Sequence, residues 1–234
     1  LGHAGFRLSF PDPADASVRR VVYIDTWLSC PTVPESVKGT IPDDADLCLV
    51  THGHFDHSAS TPDLVLASKK VGAKAVSNYE ISGFFKKHMK LTEEQSVGMN
   101  KGGTLVFGFC EVTMVSADHS SSCMCGEGPQ DGGAPGGYVI TGKDFSIYHA
   151  GDTNVMMDMD IINGLYKPSH LLLPIGGHFT MGPREAAYAI SRFLTHGKVV
   201  IPMHYGTFPL LKGTVADLEK HLELFASEFK REAI

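Results

Sequence analysis

Residues 51–57 read Thr-His-Gly-His-Phe-Asp-His and directly follow an apolar run at 47–50. An apolar run of this length that ends in a turn signal is typical of a buried strand, so the motif is predicted to form the loop leaving that strand. In an extended loop, His52 and His54 point the same way and can share one metal ion. The stretch therefore predicts a metal site at a strand end.

The rest of the motif predicts ligands at a second, neighbouring metal position. Asp56 and His57 are carried past the first pair, and Gly53 is expected to let the backbone approach an ion closely. The alternative is a polar surface turn that is rich in histidine. Imidazole and carboxylate groups at this spacing favour metal chemistry instead, but a complete site needs ligands from elsewhere in the chain.

Three further predicted strands each deliver one ligand-type residue at the end of an apolar run. The runs and the residues that follow them are 112–115 with His119, 145–148 with Asp152, and 199–201 with His204. If these strands share a core with the first one, their ends gather at one rim, where active sites of layered α/β proteins form. Each candidate also has a structural alternative, namely a turn residue, a helix N-cap and a core histidine, respectively.

The seven candidates divide into two metal sites that share one carboxylate. The first set is His52, His54 and His119, the second is Asp56, His57 and His204, and Asp152 bridges them. Two ions roughly 3.5 to 4 Å apart can hold a bridging hydroxide, because a bound divalent metal lowers the pKa of water to about 7. We expect two divalent ions, zinc in the first place, while nitrogen-rich ligands also suit manganese or iron.

Length and composition bound the remaining possibilities. The 234 residues are 43% hydrophobic and can bury a large core, and we expect one domain over 1–234, with the loop-like stretch 120–137 as an insertion. A net charge of −6 argues against general nucleic-acid binding. No segment reaches the roughly 18 apolar residues of a membrane span. Assembly into a homo-oligomer is compatible with this composition.

Five cysteines are an odd number in a chain too large to need disulfides. They indicate a reducing compartment, and we expect the cytoplasm. Cys123 and Cys125 are interpreted as free thiols in a loop, because a second Cys-x-Cys half-site for metal is missing. Since the chain begins at Leu1 and not at a methionine, we also expect residues that precede it.

With these residues placed, the chain resembles the metallo-β-lactamase superfamily, whose signature is His-x-His-x-Asp-His followed by a His, an Asp and a His. Within it, the chain looks like metal-dependent hydrolases related to L-ascorbate-6-phosphate lactonase and to N-acylphosphatidylethanolamine-hydrolysing phospholipase D. The similar stretches span most of the chain: 1–6, 98–100, 119–122, 149–153, 173–182 and 203–209. Two departures are the absence of an Asn-Pro at 25–31 and a longer loop at 123–133.

The resemblance implies an α/β (α+β) fold of four layers, αββα, in which two mixed sheets pack face to face with helices outside and metals at one edge. It also implies a hydrolase in which a metal-bound hydroxide cleaves an ester, lactone, amide or phosphoester of a small molecule. His54 disfavours oxygen-reducing relatives, which carry Glu there, and Asp152 disfavours common zinc β-lactamases, which carry Cys. A ribonuclease Z-like nuclease and a non-catalytic metal-binding protein are the alternatives.

Two residues are candidates for catalysis beyond metal binding. Asp56 is one, in addition to its role as a ligand. His178 is the other, because it stands at the end of the apolar run 171–175 and is left over once seven ligands are assigned. We predict that it acts as a proton donor or as an oxyanion partner. The alternative is a histidine that fixes the turn at 176–177.

Three further residues are candidates for supporting the ligands. Asp25 ends the predicted strand 21–24 and is expected to accept a hydrogen bond from a ligand imidazole, and His3 is expected to act similarly. His149 lies within a predicted strand before Asp152. It either bonds to the backbone or supports a ligand.

Overall fold

Two mixed β-sheets form the centre of the molecule, and the first is built from the N-terminal part of the chain. The structure is a computed structural model that describes residues 1–126 and 128–232. In spatial order the first sheet contains β1 (Phe6–Pro11), β2 (Arg19–Ile24), β3 (Leu47–Leu49), β4 (Lys74–Asn78) and β5 (Ser96–Met99). β1 and β2 are antiparallel, whereas β2 to β5 run parallel.

Helices supply the crossovers between the parallel strands β3, β4 and β5, which cannot be joined by tight turns. α1 (Phe55–Ser58) and α2 (Thr61–Ala67) connect β3 to β4, and α3 (Tyr79–His88) connects β4 to β5. α3 begins where the Asn78 side chain accepts a hydrogen bond from the backbone N–H of Ile81.

The second sheet comes from the following part of the chain. Residues 104–203 contain β6 (Thr104–Val106), β7 (Glu111–Ser116), β8 (Ser122–Cys125), β9 (Gly128–Asp131), β10 (Gly136–Thr141), β11 (Ser146–His149), β12 (His170–Pro174) and β13 (Val199–Met203). Six of these form the sheet in the order β13-β12-β11-β10-β7-β6, and β8 pairs only with β9. β11, β12 and β13 are parallel, and the other pairs are antiparallel.

Helices cover the outer face of each sheet. α2 and α3 pack on the first sheet, while α4 (Asp158–Tyr166), α5 (Pro183–Arg192) and α6 (Val215–Glu232) cover the second. The predicted four-layer αββα arrangement of two mixed sheets is confirmed. None of the helices in the described part of the chain has the length and apolar composition of a membrane span.

Alternation along the strands explains why the sheets are buried on both faces. In β2, Val22 and Ile24 point toward the second sheet and share a hydrophobic cluster with Tyr138 of β10. Val21 and Tyr23 point to the opposite face and pack in the cluster that contains α2 and α3. Because successive side chains in a strand face opposite ways, an almost continuous apolar sequence is needed here.

The predicted strand ends gather at one edge of the sandwich. β3, β7, β11 and β13 lie where the apolar runs placed strands, and the motif and its three distant partners follow their ends. A hydrogen bond between the sheets helps to hold this edge, since the Tyr138 hydroxyl donates to the carbonyls of Val50 and Val76.

The stretch 120–137 differs from the loop that we expected, because it contains the β8–β9 hairpin. It is an insertion, since β7 and β10 on either side of it pair directly with each other. Cys123 is a free thiol, as predicted, but it is buried in β8 and packs in the cluster beneath α2 and α3. It therefore acts as a small core residue and not as a loop thiol.

Gly53 has a packing role in addition to the one expected. A Cβ at this position would lie 2.7 Å from the Cys123 sulfur and 2.9 Å from the carbonyl carbon of Ser122. The glycine thus lets the hairpin approach the metal motif closely. The hydroxyl of Ser121 accepts a hydrogen bond from the Gly53 N–H and secures this contact.

We expect Gly53→Ala to destabilise the protein by about 1 to 3 kcal/mol, because the added methyl group meets hairpin backbone that cannot move aside easily. Gly83→Ala is the matched control. Gly83 lies within α3 with open space where a Cβ would lie, so its replacement should stabilise the helix by roughly 0.5 to 1 kcal/mol. Urea unfolding of both variants measures the difference, and equal stability would contradict the packing role.

Candidate metal centre

The first predicted ligand set converges at the end of β3. One nitrogen each from His52, His54 and His119 lies within 4.8 Å of the others. His52 Nε2 and His54 Nδ1 are 2.9 Å apart, and the His119 ring centroid lies 5.1 and 5.2 Å from the two other rings. The structure therefore brings together three nitrogens from two distant segments, as the spacing predicted.

Hydrogen bonds determine which nitrogen of His52 is free to bind a metal. The Thr51 hydroxyl donates its proton to Asp25 Oδ2 at 2.6 Å. That hydroxyl lies 3.0 Å from His52 Nδ1, so it can only accept there, and Nδ1 carries the proton. The lone pair of His52 is then on Nε2, which faces His54.

The second predicted set lies beside the first. His57 Nε2 and His204 Nε2 are each 3.8 Å from Asp56 Oδ2. Asp56 and His57 are not in an extended loop as expected, because the helical turn α1 begins at Phe55. His57 Nδ1 donates to Asp25 Oδ2 at 2.8 Å, which turns His57 Nε2 toward Asp56 and Asp152.

Asp152 lies between the two sets and reaches both of them. Its Oδ2 is 2.9 Å from His204 Nε2, and its Oδ1 is 3.3 Å from His57 Nε2. On the other side, Oδ2 is 3.6 Å from His119 Nε2 and 3.9 Å from His52 Nε2. The Asp152 carboxylate therefore lies within 4 Å of imidazole nitrogens from both sets.

Three buried atoms of the candidate ligands have no hydrogen-bond partner among the described residues: His57 Nε2, Asp152 Oδ1 and His204 Nδ1. The first two face each other at 3.3 Å. Buried polar atoms in native proteins are normally paired, so an unpaired nitrogen and oxygen of this kind fit a group that binds to both. Imidazole nitrogen and carboxylate oxygen are the ligands that zinc takes. The side chains present therefore fit a metal ion.

The protonation states also suit metal binding in the first set. Burial lowers the pKa of His54 and His119, and it lowers that of His52 well below the ordinary value. These three imidazoles are therefore neutral at pH 7. A metal ion requires the neutral form, so the first set binds an ion without losing protons.

The second set and the bridging carboxylate carry charge. Burial disfavours the charged form of His57, but the carboxylates of Asp152 and Asp25 outweigh it and raise the His57 pKa well above its ordinary value. Burial likewise opposes ionisation of Asp152, yet His57 and His204 hold its pKa well below the usual range. An ion at the second set must therefore displace protons from its imidazoles.

Asp25 and His3 support the ligands from behind. Asp25 accepts the His57 Nδ1–H, as expected, and it also accepts from the Thr51 N–H at 2.8 Å. His3 forms its hydrogen bond to a ligand carboxylate and not to an imidazole: burial lowers its pKa, and the neutral ring donates from Nε2 to Asp56 Oδ2 at 2.9 Å. Its ring also packs against that of His204, with centroids 4.0 Å apart. The sequence indicated both positions, but Thr51 was missed as a connecting residue.

Strained backbone accompanies these contacts. His3, Asp25 and His204 have φ values of 55°, 44° and 54°, in a region that residues other than glycine rarely adopt. Such residues cost about 1 to 3 kcal/mol each and persist where the surrounding structure demands them. The His204 N–H donates to the His3 carbonyl at 3.0 Å, so two of the strained residues hold each other in place.

His149 bonds to the backbone and does not touch the ligand side chains directly. Its Nε2 donates to the Ala4 carbonyl at 3.0 Å, and its Nδ1 accepts from the Gly151 N–H at 3.1 Å. Both ring nitrogens are therefore satisfied. The histidine fixes the turn immediately before Asp152. It therefore bonds to the backbone and, through that turn, also supports a candidate ligand.

A cleft of about 730 Å³ opens directly over the metal centre and exposes His54, Asp56, His119, Asp152 and His204 at its base. His178 is not among the residues that line it. It lines a neighbouring cleft of about 510 Å³, and Leu210 lines both clefts. The structure thus brings all seven predicted ligands together and places His178 apart from them.

Comparisons with known proteins agree with this geometry. A family model described as the β-lactamase superfamily domain matches residues 20–205, a span that includes all seven candidate ligands. With the αββα fold, the match defines the class as the metallo-β-lactamase superfamily. A UPF0173 metal-dependent hydrolase of Chloroflexus aurantiacus is 40% identical over 227 residues, covering 96% of this chain and 88% of the relative. The chain belongs to this family of metal-dependent hydrolases.

Two further similarities support the assignment. A UPF0173 metal-dependent hydrolase of Myxococcus xanthus is 45% identical over 216 residues, covering 91% of this chain and 71% of the relative. Igni18, a metallo hydrolase of the archaeon Ignicoccus hospitalis, superposes with a TM-score of 0.75 at 30% identity, covering 97% of this chain and 89% of that one. The predicted superfamily and the predicted enzyme class are confirmed.

We expect Asp25→Asn to weaken metal binding by roughly 10- to 100-fold, the range typical of outer-shell partners of metal ligands. Both oxygens of Asp25 accept hydrogen bonds, so an amide in either orientation turns an NH₂ group toward a donor. Competition with a chromophoric chelator measures the affinity.

The matched control is Asp46→Asn. Asp46 is also buried and accepts from the backbone N–H of Val21 and from Arg20, but it precedes β3, at the end remote from the motif. This variant should lose stability and keep its metal affinity. Equal losses of affinity in the two variants would show that the effect of Asp25 is general destabilisation.

Proposed function

We propose that the protein binds two divalent metal ions, zinc in the first place with manganese or iron as alternatives, and uses them to hydrolyse an ester, lactone or phosphoester bond. The observation that carries the proposal is the position of Asp152, whose carboxylate lies between two sets of ligand-type side chains. His52, His54 and His119 would hold one ion, and Asp56, His57 and His204 the other. Asp152 would bind both.

When bound, such ions supply Lewis acidity and make a water molecule acidic enough to serve as a nucleophile near pH 7. The chain's own residues prepare the site for this chemistry. Asp25 holds the His57 ring so that Nε2 faces the centre, and Thr51 does the same for His52. The carboxylate of Asp152 offsets the cationic charge.

Asp56 and His178 are the proposed catalytic residues. Asp56 lines the cleft, and contacts with His204 and His3 help to keep its carboxylate ionised by lowering its pKa despite burial. The ionised carboxylate would accept a hydrogen bond from a substrate or water in the cleft and orient it. His178 would act as a proton donor or an oxyanion partner. This proposal is supported by Phe179, the next residue in the chain, which lines the cleft.

The cleft favours a small-molecule hydrolase over a ribonuclease Z-like nuclease. Nucleic-acid binding depends on lysine and arginine contacts to phosphates. Among the described residues that line the cleft, none is a lysine or an arginine. We therefore do not adopt the nuclease alternative.

We also propose that residues 1–234 act as one domain in a reducing compartment such as the cytoplasm. The hydrophobic cluster between the sheets draws on both halves of the chain, with Val22 and Leu47 from one and Met114 and Ile140 from the other. All five cysteines are free thiols, and four of them are buried. Free thiols of this kind persist in a reducing compartment, whereas an oxidising compartment favours disulfides.

Metal content per chain, measured by elemental mass spectrometry, tests the dinuclear proposal. We expect about two ions per chain in the intact protein. Asp152→Ala should lose both ions because this residue contacts both sets, whereas His119→Ala should lose chiefly the ion of the first set. His88→Ala, a histidine on α3 outside the centre, should retain both.

One ion in the intact protein would replace the dinuclear proposal with a mononuclear one. No ion after metal is resupplied would refute the catalytic proposal. A protein that holds both ions but does not hydrolyse esters, lactones or phosphoesters would instead support the non-catalytic alternative.

His178→Ala separates the catalytic proposal for that residue from a role in the turn. If His178 donates a proton or stabilises an oxyanion, the variant should keep its metal content and lose roughly 100-fold or more in kcat. Steady-state hydrolysis and metal analysis of the same preparation give the two values. Full turnover with both metals retained would show that His178 only shapes the turn.

A further inference from the structure

Large apolar side chains surround the mouth of the cleft above the metal centre. Phe55, Met124, Phe179 and Leu210 line it and are 49%, 52%, 52% and 49% exposed, respectively. Soluble proteins seldom leave several such side chains exposed around one concavity unless an apolar group binds there. A fifth apolar residue, Phe208, lines the inner wall and is partly buried.

These side chains converge from four separate segments. Phe55 opens α1, Met124 lies in β8 of the inserted hairpin, Phe179 follows β12, and Leu210 follows β13. One exposed side chain would be unremarkable on any surface. Four side chains that meet over a metal centre from distant parts of the sequence indicate a built binding surface.

Phe55 and Phe208, which form one wall of the cleft, pack against Trp27, the single tryptophan of the chain. Trp27 stacks on Phe208 with ring centroids 5.8 Å apart, and it contacts Phe55 edge to face at 5.4 Å. Aromatic contacts of this kind fix ring orientation. An apolar ligand that reached this wall would therefore change the environment of Trp27.

Charge distinguishes this cleft from its neighbour. Among the described residues that line it, every charged or titratable side chain belongs to the candidate metal centre, and none is a lysine or an arginine. Arg184 and Lys212 line the neighbouring cleft on the other side of Leu210. In the larger cleft, an anionic substrate such as a phosphoester would meet positive charge only at the proposed metal ions, because the surrounding walls are apolar and offer no side-chain cation.

We infer that the substrate is an uncharged carboxylic ester or lactone whose apolar acyl or aryl group contacts Phe55, Met124, Phe179, Phe208 and Leu210. This inference rests on the proposed hydrolytic function and narrows its substrate class. In the reaction, the oxygen of water bonds to the carbonyl carbon and the acyl C–O bond breaks. The alcohol oxygen takes one proton of the water, and the carboxylate leaves with release of the other.

Nitrophenyl substrates with one common leaving group test this inference. The metal-loaded protein should cleave p-nitrophenyl hexanoate at least about tenfold more efficiently than the acetate, measured as kcat/KM, because the longer chain reaches the apolar wall. Bis(p-nitrophenyl) phosphate should be the poorest substrate. A phosphodiester cleaved more efficiently than the hexanoate would overturn the inference.

Two variants test whether the preference for the hexanoate over the acetate ester arises in the cleft. Phe179→Ala should reduce the ratio of hexanoate to acetate efficiency to within about twofold, with metal content unchanged. Leu165→Ala, which removes an exposed leucine on α4 outside the cleft, should leave the ratio as it is. A ratio that survives Phe179→Ala would overturn the assignment of this wall.

Binding without turnover separates this inference from the proposed function. Titration with 2-octanone, an uncharged ketone that cannot be hydrolysed, should change Trp27 fluorescence, and hexanoate ions at equal concentration should change it less. If no substrate is hydrolysed but the ketone binds in this way, the proposed function fails while the ligand class stands. If the ketone causes no change, or the hexanoate ion causes the larger one, the inference is wrong.

Discussion

The buried carboxylate of Asp152 is the constraint on which the arrangement of the site depends. Its oxygens lie 2.9 to 3.9 Å from imidazole nitrogens of His204, His57, His119 and His52. Burying a carboxylate is costly unless positive charge compensates it. The strands that end around it must therefore present their imidazoles together, and the cluster of apolar residues between the two sheets fixes those strand ends with respect to one another.

The protein holds this geometry through its own contacts. A chain of hydrogen bonds joins His57 to Asp25, Asp25 to Thr51, and Thr51 to His52, so the two ligand sets are coupled behind the centre as well as through Asp152 in front. Strained backbone at His3, Asp25 and His204 persists because the neighbouring strands leave no alternative path. Such a prepared site meets the geometric demands of metal binding before an ion arrives.

The surface over the centre has two chemically different parts. The apolar cleft leads to the metal ligands, while Arg184 and Lys212 lie in the smaller cleft beyond Leu210. This separation keeps side-chain cations away from the place where bond cleavage is proposed. The inserted hairpin contributes to it, because Gly53 admits β8 close to the motif and so brings Met124 to the mouth of the cleft.

The sequence by itself determined the class of the protein and indicated which side chains gather at the candidate centre. Ligand spacing in 51–57 depends on local backbone geometry, and the alternation of apolar residues predicted the strands whose ends carry His119, Asp152 and His204. Tertiary structure alone decided that Gly53 packs against a hairpin, that Cys123 is buried, that His178 lines a neighbouring cleft, and that dispersed apolar residues form one wall. Those outcomes depend on contacts between residues far apart in the chain, which no local pattern records, whereas strand periodicity and ligand spacing are local.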